Sequence, residues 1–413
     1  MTKTIENLIQ EYYANLYDNQ KMLDYYNGDQ DILNTYRYEE YRSNAKTVIN
    51  FINKFVEEEI AYICGNPISY ISKSGNEQEV NDIDYNLYHW KATHNQELTR
   101  QLEIFGIAYE LYYIDSDGQF CGRILNPTNA AVITDADNIP QVFIHFYKKK
   151  YDNARYYDIY YPDKIEIYKD DMLQNTKEHI FSGVPVAICS IGQEQTIYSK
   201  IKALNDCLNI IVSDQINIIS DYRNAYLVVA GAEVDEDTAK TLKSKGILNL
   251  KGKDGSVSWL IKNIDSTYID AMIKEIKDDM YSICNHIDGQ EKLQSNTSGV
   301  ALRTRLIFLE QRCKTVFDAI SDTIFDRIKF LFQFLKLKNK NYDWKDITVT
   351  FNPCVPQDLA FIAQVLTQLD GKISLETALS QIPFIENPAN EIAKLKKERA
   401  EMDEIDLDKI ESV

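Results

Sequence analysis

The sequence predicts an α+β chain in which long amphipathic helices are interleaved with strand-rich blocks. Three observations lead there. Between Gln195 and Leu337 the pattern reads helix, compact β-rich insert, helix, polar loop and then one very long helix. Between Ala108 and Ile191 the helical period gives way to short strand-like runs. With 413 residues, the chain has the length of two or more domains and enough material for a real core.

From the N-terminus, Ile5 to Asn27 reads as helix, rich in Tyr12, Tyr13, Tyr17, Tyr25 and Tyr26, with Gly28 as its stop. A second helix is expected from about Asn44 to Ile63. There Val48, Ile49, Ile52, Phe55, Val56 and Ile60 make an apolar face, and Gly65-Asn66-Pro67 ends it sharply. The strand-like ISYIS follows, and a third helix is expected over roughly Asn81 to Gly106, carrying Trp90. From Ala108 to Ile191 come AYELYYI, RILNP, AVIT, PQVFIHFYKK, YYDIYY, KIEIYK and VPVAIC. With turns at Asp115 to Gly118 and Asp135 to Asn138, this spacing predicts an antiparallel meander forming a self-contained β-rich subdomain.

In the central stretch, Ile197, Ile201, Leu204, Leu208, Ile211, Val212, Ile216 and Ile219 mark one amphipathic helix. Ile269, Met272, Ile273, Ile276, Met280 and Ile283 mark another, with Asp270, Glu275, Asp278 and Asp279 on its other faces. Between them, Ala225 to Ile264 switches to the short apolar runs YLVVAG, GILNL and SVSWLI, separated by turn signals at Gly246 and Lys253-Asp254-Gly255. An acidic stretch from Glu233 to Asp237 and a short helix from Asp237 to Ser244 break it up, so two helices flank a small β-containing head.

Gly289 to Gly299 is polar with glycine at both ends, the composition of a loop between helices, and Ser298 is placed to cap the helix that follows. In that helix Leu302, Leu306, Leu309, Cys313, Val316, Ile320, Ile324, Ile328, Leu331 and Leu335 recur at spacings of three and four. Arg303, Arg305, Glu310, Arg312, Lys314, Asp318, Asp322 and Asp326 fall between them and predict a wet opposite face. No Gly or Pro interrupts Val300 to Leu337, roughly 55 Å of helix at ~1.5 Å per residue, longer than a compact domain needs. Beyond it lie a basic linker from Lys336 to Trp344, one strand in ITVTFNP, and a tail from Gln357 to Val413 that reads as two or three helices.

A net charge of −18 argues against a free-standing DNA-binding protein, whose affinity comes largely from Lys and Arg neutralising phosphates. It leaves room for a surface past which DNA slides without sticking. The seven Cys are scattered with no CxxC pair, which reads as reduced thiols and not as a disulfide or zinc framework. The N-terminus does not read as a signal peptide, and no run of about 18 apolar residues predicts a membrane span. There is no GxxxxGK[ST], and KGKDGS is taken as a turn. His89 and His94 are too poorly phased on a helix to share a metal, and Asp278 and Asp279 diverge as neighbours on a solvated face. No catalytic residue, metal site or cofactor site is therefore expected.

The order of these elements carries a resemblance. DYRNAYLVV leads from a helix into a β insert, and SGVALRTRL opens the very long helix after a polar loop. YYNGDQDI and YICGNPISY stand near the N-terminus, and FNPCVPQD and GKISLETALSQIPFIENPANE stand after the long helix. Together, over nearly the whole chain, they resemble the portal proteins of tailed bacteriophages, most of all the branch found in siphophages of Gram-positive hosts. The resemblance implies a portal-like fold with wing, helical stem, small β-containing clip, long spine helix and short helical C-terminal crown. It also implies a ring, usually of twelve subunits, around a DNA channel at one capsid vertex. By analogy residues 1–194 are wing, 195–226 and 267–286 stem helices, and 227–266 the clip. Residues 287–298 are the tunnel loop, 299–338 the long wing helix, 339–356 the wing strand and linker, and 357–413 the crown.

The same resemblance implies a component of the virion, assembled in the host cytoplasm. Its expected partners are the terminase large subunit, a head–tail adaptor, major capsid and scaffolding proteins, and double-stranded DNA passing without sequence recognition, with no membrane partner. In the loop, Lys292, Gln294, Ser295, Asn296, Thr297 and Ser298 are the candidates for lining the channel. Contact with the DNA backbone and loop–loop support between neighbouring subunits are equally open readings. In the clip, Ile247, Leu248 and Trp259 are candidates for partner contact or intersubunit strand pairing, against the alternative of a small local core. Two other functions stay open: a portal-like part of a phage-derived particle that carries no genome, and an enzyme with a dispersed active site.

Overall fold

The computed structural model describes residues 2–40, 42–222, 226–230, 256–260, 266–288, 299–350, 364, 366–369, 371–379, 382 and 391–398. Helices α1 (Thr2–Asn27), α2 (Ile32–Thr35) and α3 (Phe51–Cys64) open the chain, and strand β1 (Ser69–Ser72) leads into α4 (Glu77–Leu87) and α5 (His94–Phe105). Strands β2 (Ile107–Ile114), β3 (Phe120–Leu125), β4 (Ala130–Thr134) and β5 (Pro140–Tyr147) follow, then β6 (Tyr156–Tyr160), β7 (Lys164–Lys169), β8 (Met172–Glu178) and β9 (Val186–Ser190). After them come α6 (Ile197–Tyr222), β10 (Tyr226–Ala230), β11 (Ser256–Leu260), α7 (Ser266–Ile283), α8 (Gly299–Leu337), β12 (Ile347–Thr350) and α9 (Leu375–Leu379). The chain forms two compact units, one from Met1–Asn27, Ile52–Lys200 and Ile283–Val413, the other from Gly28–Phe51 and Ile201–Ser282. The α+β class expected from the sequence is the class observed.

The first unit is built on α8. Cys313, Val316, Ile320, Ile324, Ile328, Leu331 and Leu335 form its fully buried stripe, as the three-and-four spacing predicts. This stripe packs in one core with Ile83 of α4, Leu98 and Leu102 of α5, and Ala108 and Tyr112 of β2. The wet face fails at two positions, because Arg312 and the further cation Arg327 are both buried and ion-paired. Arg327 lies over the Trp90 ring and pairs with Glu110 of β2 at 2.8 Å. Glu110 also accepts from the Tyr112 hydroxyl at 2.8 Å and meets His94 Nε2. Burial pushes the Glu110 carboxyl up, but Arg327 and His94 outweigh it and hold it at about 2.

The strand-rich block is two sheets. β4 to β8 form a five-stranded antiparallel meander in sequence order, whereas β2 pairs with β3 and β9 in a separate three-stranded sheet. The block is not self-contained, because the three-stranded sheet buries one face in the α8 core, while α1 covers the meander through Leu8 and Tyr12. Tyr12 stacks on Phe146 at 3.9 Å and its hydroxyl donates to the Thr128 carbonyl. β8 was not expected, since every residue of MLQNTKE is exposed and gives no apolar alternation. The expected strands ISYIS and ITVTFNP supply β1 and β12, which pair with each other.

Two helix expectations are corrected. The helix placed at Asn81 to Gly106 is α4 and α5 with a break between Leu87 and His94. In the break the Trp90 indole N–H donates to the Phe120 carbonyl at 2.9 Å, and its ring covers Gly122, where a Cβ would lie 2.4 Å from the ring. Gly106 ends α5 with φ at 74°, and a side chain there would collide with the Gly192 backbone. The helix expected from Asn44 begins only at Phe51, and residues 44–50 carry no helix, for a reason given below. Among the described residues no helix is long and apolar enough to cross a membrane. In the tail from Gln357 to Val413, residues 364, 366–369 and 391–398 and α9 are helical, and most of the remainder lies outside the described residues.

Candidate functional site

In the second unit, α6 and α7 flank in sequence the antiparallel pair β10–β11, in which Leu227 stands opposite Trp259. This is the helix, β head and helix order expected from the sequence. Ile247 and Leu248, the run GILNL and the short helix at 237–244 lie outside the described residues, as do Lys292, Gln294, Ser295, Asn296, Thr297 and Ser298. Trp259 is placed in β11 by its backbone pairing alone.

What holds α6 is a ladder of side chains. Asn205, Asn209, Ser213, Asn217 and Asp221 recur every four residues on this helix. Each accepts one backbone N–H from the extended segment beside it: Phe51 to Asn205 Oδ1 at 3.1 Å, Ile49 to Asn209 Oδ1 at 2.7 Å, Thr47 to Ser213 Oγ at 2.9 Å. Ala45 to Asn217 Oδ1 and Ser43 to Asp221 Oδ1, both at 2.7 Å, complete the series. The match is metric: four helical residues rise about 6 Å, and two extended residues span about 6.6 Å. Gln30 closes one end, its Oε1 accepting from the amides of both Asn205 and Asn209. At the other end the Asn217 amide donates to the Ala45 carbonyl, and the Tyr36 hydroxyl donates to Asp214. This ladder is the reason that residues 44–50 are not helical, since every second N–H has an acceptor on α6 that a helix of their own would forfeit.

A second anchor lies in the first unit. His286, just past α7, donates through Nδ1 to Glu58 at 2.9 Å and through Nε2 to Glu59 at 3.0 Å, and stacks on Phe55. Arg312 of α8 bridges Glu59 and Glu103, with Nη2 3.0 Å from Glu103. Burial opposes charge on His286, but its two carboxylate bonds outweigh that and raise its pKa, so it is held as imidazolium. Residues on both sides of 289–298 are thus tied to one carboxylate, Glu59.

For ligands the geometry offers little. His94 turns to Glu110 while His89 lies near Cys121 at 3.5 Å, so the two histidines do not converge. Asp278 and Asp279 are both exposed on α7. Among the described residues no group of His, Cys, Asp and Glu is arranged to hold a metal ion. A cleft of about 610 Å³ beside the ladder is lined by Asp31, Tyr36, Arg37, Asp206 and Asp214 among others.

In chain order α6, the β10–β11 pair and α7 are followed by the 39-residue helix α8, in an acidic chain. Residues 5–404 match the family described as phage portal protein, SPP1 Gp6-like, and the chain belongs to that family. It is 23% identical over 396 residues to the portal protein of Bacillus phage SPP1, covering 86% of this chain and 76% of the relative. Among solved structures, the neck of an empty GTA particle computed with C6 symmetry aligns at 11% identity with a TM-score of 0.49, over 83% of this chain and 88% of that one. The neck of a native GTA particle computed with C12 symmetry aligns at 13% identity with a TM-score of 0.47, over 79% and 87%. The protein is thus a phage portal protein, of a structural family found in the virion at the capsid vertex.

Sequence reasoning missed both anchors. The ladder had a legible signal, a polar residue at every fourth position along one line of an amphipathic helix. The Glu59, Glu103, His286 and Arg312 cluster had none, because its members are scattered along the chain and ordinary in their local context.

Proposed function

We propose that copies of this chain close into a ring of twelve around an axial channel through which the phage genome is packaged and later ejected. The observation that carries this reading is the portal-family match, whose span of residues 5–404 takes in both flanking helices, the β10–β11 pair and α8. In this reading residues 195–226 and 267–286 are the stem, 227–266 the clip, 287–298 the tunnel loop and 299–338 the spine of the wing. The net charge of −18 per subunit, repeated around a ring, lowers the residence of DNA on the wall, so that translocating DNA is not trapped. Lys292, Gln294, Ser295, Asn296, Thr297 and Ser298 line the channel, and of these Lys292, Gln294, Asn296 and Thr297 touch the DNA backbone without reading sequence. Ile247, Leu248 and Trp259 form the surface where the terminase large subunit docks during packaging and the head–tail adaptor afterwards. Major capsid and scaffolding proteins surround the wing as the particle assembles in the host cytoplasm. The chain performs no catalysis, and ATP hydrolysis belongs to the separate motor.

Native mass spectrometry with negative-stain imaging of the purified protein tests this. Turbine-shaped rings of about twelve subunits with an open axial hole are expected. A protein that stays monomeric or dimeric at high concentration, even with its capsid and scaffolding proteins present, refutes the ring.

A further inference from the structure

Glu59 of α3 and Glu103 of α5 meet inside the first unit, and neither side chain has any exposure to solvent. Arg312 reaches both, and His286 reaches Glu59. After these bonds Glu59 Oε2 and Glu103 Oε1 are still buried without a hydrogen-bond donor; Arg312 Nε lies 3.3 Å from Glu59 Oε2 but outside bonding geometry. The two carboxyl groups are nonetheless within hydrogen-bonding reach of each other. A buried carboxylate oxygen without a donor is costly, and two such anions side by side also repel. A single proton removes both penalties, because it turns one acid into a donor for the other and cancels one of the two charges.

We propose that Glu59 and Glu103 hold one shared proton at neutral pH, carried by Glu103 and donated to ionised Glu59. This protonated pair is the fixed point that ties His286, past the end of α7, and Arg312 of α8 to α3 and α5. Around the pair, Glu58 and Glu59 are anions, with Glu58 also paired to Lys54, His286 and Arg312 are cations, and Glu103 is neutral. Other titratable groups facing the pair fit the same account. Lys200 in the first turn of α6 has its pKa lowered by burial and by Arg312. Burial raises the thiols of Cys284 and Cys313, which stay protonated. Burial and the neighbouring Glu59 push the Glu103 carboxyl well above its ordinary range, whereas for Glu59 burial is outweighed by His286 and Arg312, which hold it low. Glu59 faces two cations, His286 and Arg312, whereas Glu103 faces Arg312 alone, and this asymmetry places the proton on Glu103. It is a property of the single chain and holds whether or not a ring forms.

Infrared spectroscopy of the full-length protein at neutral pH tests this, because the C=O stretch of a protonated carboxyl lies clear of carboxylate bands and shifts in D2O. A difference spectrum of wild type against Glu103→Gln is expected to show the loss of one such band. Glutamine is neutral and can donate, so Glu103→Gln should fold, with a melting temperature at pH 8 no lower than that of the wild type. Glu59→Gln, which removes the anion facing two cations, should melt below Glu103→Gln. Absence of a lost band, or a Glu103→Gln protein that fails to fold or melts below Glu59→Gln, overturns the proposal.

Discussion

The ladder on α6 makes a residue-by-residue prediction for Asn209→Ala. In the wild type, Asn209 is fully buried, its Oδ1 accepts the Ile49 N–H at 2.7 Å, and its amide donates to Gln30 Oε1. Truncation leaves Gln30 Oε1 with the Asn205 amide as a donor, so the one group stranded is the Ile49 N–H. Stranding a buried donor costs about 1–3 kcal/mol, which lowers the protection of that amide from hydrogen exchange by about 5- to 150-fold. Residue-resolved hydrogen exchange by mass spectrometry reads this directly. In the wild type the amides of Ser43, Ala45, Thr47 and Ile49 should exchange slowly, and those of Asn44, Lys46 and Val48, which the ladder does not hold, faster. In Asn209→Ala the loss of protection should centre on Ile49 and its ladder neighbours while Val48 changes little. If odd and even residues exchange alike, or if Ile49 is as protected in the variant as in the wild type, the ladder does not hold this segment.

Four further outcomes are expected. Glu110→Gln leaves the Arg327 guanidinium buried with its partner charge gone, and should lower stability by about 3–5 kcal/mol in denaturant titration; a loss below 1 kcal/mol would show that the pair is dispensable. Gly122→Ala drives a Cβ into the Trp90 ring and should destabilise by about 1–3 kcal/mol, whereas Gly118→Ala, where a Cβ meets nothing nearby but φ is 74°, reports backbone strain alone. The melting temperature should fall as pH rises above about 6.5: His286, its folded pKa raised from 6.5, loses its contribution from there upward, and Glu103, raised from 4.5, loses its own from about 4.5 up through its folded value. His286→Asn should flatten that slope, and a melting temperature that rose with pH would contradict it. Lys292→Ala combined with Asn296→Ala should impair packaging or retention of DNA in infected cells, and particles packaged and stable at wild-type levels would rule out the backbone contact.

The sequence by itself determined the elements whose signal is local and repeated. The stripe from Leu309 to Leu335 shows α8 at a period of three and four, and its length follows from the absence of Gly and Pro. The apolar faces of α6 and α7, the paired strands between them and the strand alternation of the meander were legible for the same reason, as was the portal resemblance that rests on their order. What the tertiary structure decided is every feature that depends on a partner far along the chain. Residues 44–50 carry an apolar pattern that suits a helix, yet they lie outside any helix because side chains of α6 offer acceptors to the N–H groups of Ala45, Thr47 and Ile49, and to those of Ser43 and Phe51 on either side. Trp90 sits in the break between α4 and α5 because Gly122, 32 residues away, leaves room for its ring. Arg312 falls among the charged positions of a helix whose other face is apolar, and only the arrival of Glu59 and Glu103 from two other helices makes it a buried bridge. Periodicity records which face of an element is apolar. Which polar group meets which is set by packing, because a buried charge or N–H is stable only where the fold brings its counterpart.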